Sequence, residues 1–247
     1  MERKDFLRGL GIVGLGTLSI IPMINACSKD DDTNSSSDGD SNDSDSSSGS
    51  CSVNPSETEG PFPTKSPTSL ITSNIVSDRT GVPISINIYI KNTNQSCAAL
   101  PGAFVDIWHC DKDGYYSEYG GTGMQSADFT NVHFLRGRQT ADTNGLVQFT
   151  SIFPGWYSGR ATHIHVHVYN ASGKSLLVTQ IAFPEGTNSA VALVNASTAN
   201  GYTKGLNGYT YNDSDNVFSD GYAKEMSTIT GSVSEGFVLN HTINVAG

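Results

Sequence analysis

A short stretch near the middle of the chain, PGWYSGRATHIHVHVY at residues 154–169, combines a tyrosine, an arginine and three alternating histidines. Side chains two positions apart lie on the same face of a β-strand, so His163, His165 and His167 share one face. Two imidazoles at this spacing can bind one metal ion, whereas the third lies roughly 13 Å from the first along the strand. The spacing therefore predicts two histidine ligands, not three.

Histidines on the polar face of an exposed strand would give the same pattern, so the neighbouring residues matter. Tyr115 and Tyr116 follow the strand-like stretch VDIWH, and Tyr157 and Arg160 precede the histidines. No Asp or Glu lies close to the histidines in sequence, which argues against a two-histidine, one-carboxylate Fe(II) site and against a zinc hydrolase. Two phenolates with two imidazoles instead favour Fe(III), because a trivalent cation can hold a phenol deprotonated near neutral pH.

Strands must carry these residues, and the sequence has clear strand signals. ISINIYIK alternates isoleucine with mostly polar residues, as expected of a half-buried strand. Only residues 189–198 indicate a short helix, and residues 199–235 predict an irregular excursion. Because no βαβ alternation appears, the predicted fold is all-β, an antiparallel β-sandwich with long loops and little helix. The predicted strands are 84–91, 103–109, 146–152, 162–169, 176–183 and 237–245.

Several stretches, in this order, resemble the intradiol ring-cleavage dioxygenases, the family of catechol 1,2- and protocatechuate 3,4-dioxygenases. The run from Pro154 to His165 is the most diagnostic of them. The resemblance implies a non-haem Fe(III) ion, held by two tyrosinates and two histidines. The ligands that it implies are Tyr116, Tyr157, His163 and His165. The stretches are TEGPFP (58–63), GAFVDIWHCDKDGYYSEY (102–119), FLRGRQTADTNGLVQFTSIFPGWYSGRATHIHVHV (134–168) and TQIAF (179–183).

The same resemblance implies a reaction, namely insertion of O2 into a catecholic substrate with cleavage between the two hydroxylated carbons to give a cis,cis-muconate-type product. It implies that Tyr157 accepts a substrate proton, that Arg160 stabilises developing negative charge, and that Gln180 lies beside the substrate. Only Ser158 and Gly159 separate Tyr157 from Arg160. Cytoplasmic relatives carry a longer insertion there, so a more open pocket is expected.

The first fifty residues predict export. Residues 1–27 carry basic residues, then an apolar stretch, and end in INAC, which resembles a bacterial lipobox with Cys27 as the lipidated residue. A retained N-terminal anchor helix is the alternative. The stretch RKDFLR resembles a twin-arginine motif with Lys4 in place of the second arginine, so either the twin-arginine or the Sec route is possible. Residues 28–50 predict a disordered Ser- and Asp-rich tether, and residues 51–247 the catalytic domain of a cell-envelope lipoprotein.

Charge and cysteine content add two expectations. The formal net charge is −10, of which the tether contributes −6 and the signal +1, so residues 51–247 carry −5; this disfavours nucleic acid as a partner. Outside the cytoplasm, three cysteines besides Cys27 predict one disulfide and one free thiol. If 84–91 and 103–109 formed a hairpin, Cys97 and Cys110 would lie at opposite ends of it, which favours Cys51 as a member of any bridge.

Two other functions are compatible with these patterns. A lipid-tethered β-sandwich could bind carbohydrate or protein without turnover. A protein that keeps the four ligands could also bind iron or a catechol without activity. The partners expected for the enzyme are a catechol and O2, with membrane contact only through a lipid at Cys27; the oligomeric state and the particular catechol stay open.

Overall fold

The computed structural model describes residues 51–121 and 123–247, and within them the chain forms nine strands and one short α-helix. In chain order these are β1 (Pro83–Asn92), β2 (Ala98–Ala99), β3 (Phe104–Trp108), β4 (Arg136–Thr140), β5 (Leu146–Ile152), β6 (His163–Tyr169), β7 (Ser175–Ala182), α1 (Ala190–Asn195), β8 (Thr228–Ser232) and β9 (Gly236–Val245). Single 3-10 turns lie at Pro67–Ser69, Thr93–Gln95, Thr198–Asn200 and Asn212–Ser214.

The strands form two sheets. One is wholly antiparallel, in the order β4–β3–β6–β7. In the other, β1 pairs with β9 on one side and with β5 and β2 on the other, and β8 lies outside β9. The β1–β9 pair is parallel, so this sheet is mixed. The predicted all-β sandwich is confirmed, with this one parallel pair as a refinement.

The core lies where the apolar faces of the two sheets meet. The four alternating isoleucines of β1 are at most 1% exposed, as their period of two predicts. On β6, the residues between the histidines point into the same core, so the histidines must face the opposite side of the sheet. The core residues contributed by these two strands are Ile84, Ile86, Ile88, Ile90, Ile164, Val166 and Val168.

Two local predictions were wrong, and one strand of the site-bearing sheet was missed. Residues 84–91 and 103–109 do not form a hairpin, because β1 and β3 lie in different sheets. The excursion 199–235 is not wholly irregular, since β8 at Thr228–Ser232 pairs with β9. Strand β4 was not predicted, because RGRQT carries charged and polar side chains without an apolar alternation.

The N-terminal end of the described chain is fixed by a disulfide between Cys51 and Cys97, with a Cα–Cα distance of 5.8 Å. Cys110 is a free, buried thiol. The predicted export signal and tether, residues 1–50, lie outside the described residues. Within residues 51–121 and 123–247, no helix is long and apolar enough to span a membrane.

Candidate metal centre

His163 and His165, the first two of the three histidines on β6, bring their Nε2 atoms to 3.1 Å from each other. The Nδ1 atom of His163 lies 2.6 Å from the Ala161 carbonyl, to which it can only donate, so the Nε2 atom of His163 carries the lone pair. Burial lowers the pKa of both imidazoles well below the ordinary range, with Arg160 adding to the effect at His163 and His163 adding to it at His165. Both rings are therefore neutral, which is the form that binds a metal.

Two tyrosines lie beside these histidines. Tyr116, in the loop after β3, places its hydroxyl 3.2 Å from Nε2 of His163 and is fully buried. Tyr157, in the loop before β6, is only partly buried, with its ring centroid 5.8 Å from that of Tyr116 and 5.7 Å from that of His163. Burial raises the pKa of both phenols, so they stay protonated unless a cation stabilises the phenolate.

The donor atoms of His163, His165 and Tyr116 have separations that suit ligands of one metal ion. Two atoms each about 2.1 Å from one metal ion, at a right angle, lie about 3 Å apart, which matches the 3.1 and 3.2 Å separations around Nε2 of His163. Within the described part of the chain no three His, Cys, Asp or Glu side chains group as metal ligands. The donor set here instead combines two neutral imidazoles with two phenols, and hard anionic oxygen with imidazole nitrogen suits Fe(III).

Residues on the two neighbouring strands flank His165. Trp108 on β3 and Gln180 on β7 are the register partners of His165 on either side. The Trp108 and His165 rings stack with centroids 4.9 Å apart and planes 1° apart. Near the Cε1 and Nε2 atoms of the ring, a Cβ placed on Gly60 would lie 3.0 Å from Cε1 of His165. The imidazole thus stacks on an indole and also lies close to a backbone that can approach because Gly60 has no side chain.

Arg160 links the tyrosine and histidine pair to Gln180. Its Nη1 atom lies 3.4 Å from the Tyr157 hydroxyl and 3.4 Å from Nε2 of His163. Its Nη2 atom donates to Oε1 of Gln180 at 2.5 Å, and Gln180 in turn donates to the Thr58 carbonyl at 2.9 Å. Both Arg160 and Gln180 are buried. The sequence alone could not tell whether these two side chains lie in a pocket or on the exposed surface.

The sequence did not single out two charged residues that hold this site. Asp215, in the excursion before β8, accepts from Nε of Arg160 at 2.9 Å and has no exposed side-chain surface. Arg136 on β4 is buried and donates to the Ser117 hydroxyl and carbonyl at 2.9 and 2.7 Å, next to Tyr116. Neither residue has a local sequence signal, because each becomes a neighbour of the site only through tertiary packing.

The remaining candidates lie apart from the four donors. His167 is half-buried and pairs with Ser175 and Tyr169, with its Nδ1 3.2 Å from Glu59. Tyr115 packs against Phe129.

His109, just after β3, contacts β5: its ring nitrogens lie 2.7 Å from the Cys110 carbonyl and 2.7 Å from the Ser151 hydroxyl, and burial lowers its pKa to about 4. Both ring nitrogens of His109 are thus engaged in hydrogen bonds outside the donor set.

Comparison with known proteins decides the family. A family model described as Dioxygenase matches residues 59–206, which is more than half of the chain. An intradiol ring-cleavage dioxygenase from Tetranychus urticae has the same fold with a TM-score of 0.68, at 29% identity, covering 79% of this chain and 95% of that one. The chain belongs to the intradiol ring-cleavage dioxygenase family. The resemblance read from the sequence is thereby confirmed.

Other members of the family match over a shorter stretch or with a lower TM-score. A chlorocatechol 1,2-dioxygenase of Rhodococcus opacus is 30% identical over a stretch that covers 34% of this chain and 37% of that protein. The chain thus matches little more than a third of the length of this curated relative. The dioxygenase domain of a dioxygenase and carbohydrate-binding protein fusion from Streptomyces sp. SirexAA-E shares the fold, with a TM-score of 0.54, 23% identity, and coverage of 78% and 97% of the two chains.

Proposed function

We propose that this protein is an Fe(III)-dependent intradiol dioxygenase that cleaves catechols between their two hydroxylated carbons. The observation that carries the proposal is the convergence of two neutral imidazoles and two phenols within one buried site, next to the Arg160 guanidinium. Tyr116, Tyr157, His163 and His165 would hold the iron. When bound, ferric iron supplies the Lewis acidity that makes a catecholate reactive towards O2.

The two tyrosines have different environments, and this suits different roles. Tyr116 is fully enclosed and packs its ring on Phe62 at 4.9 Å, while its backbone N–H donates to Oε1 of Gln125 at 2.7 Å. Tyr157 is less enclosed and lies next to exposed Ser158 and Gly159. We therefore assign Tyr157, and not Tyr116, as the residue whose phenolate, stabilised by bound iron, would accept a proton from an incoming catechol hydroxyl.

Arg160 and Gln180 would act on the substrate side of the site. The guanidinium of Arg160 is buried, where solvent screens electrostatic interactions weakly, so its Nη1 edge, which faces Tyr157 and His163, can stabilise negative charge that develops on the catechol ring. Gln180 fixes one Arg160 nitrogen through its carbonyl oxygen, and its own amide is held by the Thr58 carbonyl. The pair therefore presents a preorganised donor whose orientation costs nothing at the moment of reaction.

The test begins with colour and oxygen uptake. Phenolate bound to Fe(III) absorbs visible light by charge transfer, so the iron-loaded protein is expected to be burgundy and to consume O2 with catechol or 4-chlorocatechol. Protein that stays colourless after iron loading contradicts the proposal, and coloured protein that consumes no O2 with any catechol favours iron or catechol binding without turnover.

Two matched pairs of variants sharpen this test. Tyr157→Phe is expected to shift and weaken the visible band, whereas Tyr211→Phe, at a half-exposed tyrosine, leaves it unchanged. His165→Ala is expected to abolish iron binding, whereas His167→Ala, two residues along the same strand face, retains it. Loss of iron in the His167→Ala variant as well would contradict the assigned ligand set.

We also propose export and lipid anchoring at Cys27. The Cys51–Cys97 disulfide supports an oxidising compartment, because such bonds are rare in the cytosol. In a bacterial host supplied with a labelled fatty acid, the wild-type protein is expected to be labelled and Cys27→Ser is not, while Cys110→Ser serves as the control. Unlabelled wild-type protein would contradict the anchor.

A further inference from the structure

Asp215 is a fully enclosed carboxylate whose oxygens face backbone and arginine N–H groups. Both oxygens lie 2.9 Å from Nε of Arg160. One of them also accepts from the Ala161 backbone N–H at 2.8 Å, and the other from the Val217 N–H at 3.0 Å. The residue is 1% exposed. These contacts fix the carboxylate and hence the Nε edge of the guanidinium.

The rest of the Arg160 side chain is also oriented from the excursion before β8. The Phe218 ring centroid lies 5.8 Å from the Arg160 guanidinium carbon, on the same excursion as Asp215. With Nε held by Asp215 and Nη2 by Gln180, the remaining Nη1 is directed at Tyr157 and His163. A planar guanidinium with two fixed nitrogens has no rotational freedom left at the third.

Asp215 lies outside the part of the chain that matches the dioxygenase family model, which ends at residue 206. Its role is therefore not carried over from that match. A charge-assisted hydrogen bond in a buried site is strong, and removing one partner leaves an uncompensated charge. The pair thus couples the fold of the excursion to the position of the arginine.

We propose that Asp215 is a positioning residue that sets which N–H group of Arg160 faces the reacting catechol. The proposal rests on the proposed dioxygenase function. Replacing the carboxylate by an amide keeps its shape but presents an N–H to other N–H donors, so the guanidinium should turn away. A displacement of about 1 Å in such a group can lower turnover about 100-fold.

The kinetic test uses iron-loaded protein with catechol. Asp215→Asn is expected to lower kcat about 10- to 100-fold while KM changes less than about 3-fold. Asn212→Ala, which removes a contact of the same excursion with the Phe183 carbonyl, is the control and is expected to change kcat less than about 2-fold. Equal effects of the two substitutions would mean that Asp215 acts only by anchoring the excursion, which overturns the proposal.

A double-substitution cycle with Arg160→Gln shows whether the effect passes through Arg160. In the Arg160→Gln background, Asp215→Asn is expected to change kcat less than about 2-fold, because there is no guanidinium left to orient. An undiminished loss in that background would overturn the proposal.

A second readout needs no iron and no activity. In the iron-free protein, Arg160→Gln leaves the Asp215 charge buried without its partner, so the Arg160→Gln/Asp215→Asn double variant is expected to melt at a higher temperature than Arg160→Gln alone. A lower melting temperature for the double variant than for Arg160→Gln would contradict a buried ion pair between Asp215 and Arg160. Wild-type protein that binds iron but never turns over a catechol would refute the proposed function and the role of Asp215 together, whereas active wild type with an unaffected Asp215→Asn variant would refute only the latter.

Discussion

Gly60 offers a sharp test of how the site is held, because its backbone lies against the imidazole of His165. The residue has a φ of +68°, and a Cβ at this position would lie 3.0 Å from Cε1 and 3.5 Å from Nε2 of His165. In Gly60→Ala the left-handed backbone costs about 1–2 kcal/mol. In addition, the imidazole must shift by a few tenths of an ångström, although Trp108 stacks on it at a centroid distance of 4.9 Å.

Gly173→Ala is the matched control, since its φ is +83° and a Cβ there would have no atom within 4 Å. Both variants are expected to lose about 1–2 kcal/mol of unfolding free energy in urea. Only Gly60→Ala is expected to lose iron affinity, by about 10- to 100-fold, as for other changes in residues that orient a metal ligand. Chelator competition followed at the visible band measures this. Equal iron affinity in the two variants would refute the idea that the Gly60 backbone fixes His165.

Three further changes test the packing around the site. Reducing the Cys51–Cys97 disulfide opens a 46-residue loop and is expected to lower the unfolding free energy by up to about 4 kcal/mol, measured by urea unfolding with and without reductant; an unchanged midpoint would contradict this. Burial raises the pKa of Glu225 from 4.5 to about 8, so the unfolded chain releases a proton that the folded protein keeps. As the pH rises from about 4.5 to about 8, the free energy of unfolding of the wild type is therefore expected to fall by a few kcal/mol relative to that of Glu225→Gln. Unfolding free energies of the two proteins that change in parallel with pH would refute this. In Arg136→Lys the ammonium cannot reproduce the two contacts of the guanidinium with Ser117, so the free energy of unfolding is expected to fall by about 3 kcal/mol. Iron binding is also expected to weaken, because Ser117 adjoins Tyr116. Normal iron affinity would argue against a connection between Arg136 and Tyr116.

The sandwich could be predicted because its central strands carry their burial pattern in the sequence. The alternating isoleucines of β1 and the alternating valines and histidines of β6 each define a core face and an opposite face. Strand pairing could not be predicted in the same way. The parallel β1–β9 pair joins segments about 150 residues apart, and β4 is charged because its side chains serve polar contacts near Tyr116 and Asp106.

The four metal-donor residues could be predicted from the sequence because they lie in short motifs, which have either strand spacing or a resemblance to the dioxygenase family. A pair of histidine ligands on one strand face follows from the period of two, whereas the choice of His163 with His165, and of Tyr116 over Tyr115, depended on the resemblance. Asp215 could not be found in this way: it lies 55 residues after Arg160, in a stretch rich in Gly, Asn and Asp without periodicity. Its importance arises only when the excursion folds back onto the arginine.

The most direct measurement is turnover of catechol by the iron-loaded protein under isotopically labelled O2, with mass spectrometry of the product. Intradiol cleavage at the site of Tyr157, His163 and Arg160 is expected to give cis,cis-muconate with one labelled oxygen atom in each new carboxylate. An aldehyde-containing ring-opened product, a product without label, or no product from fully iron-loaded protein would contradict an intradiol dioxygenase built on these residues.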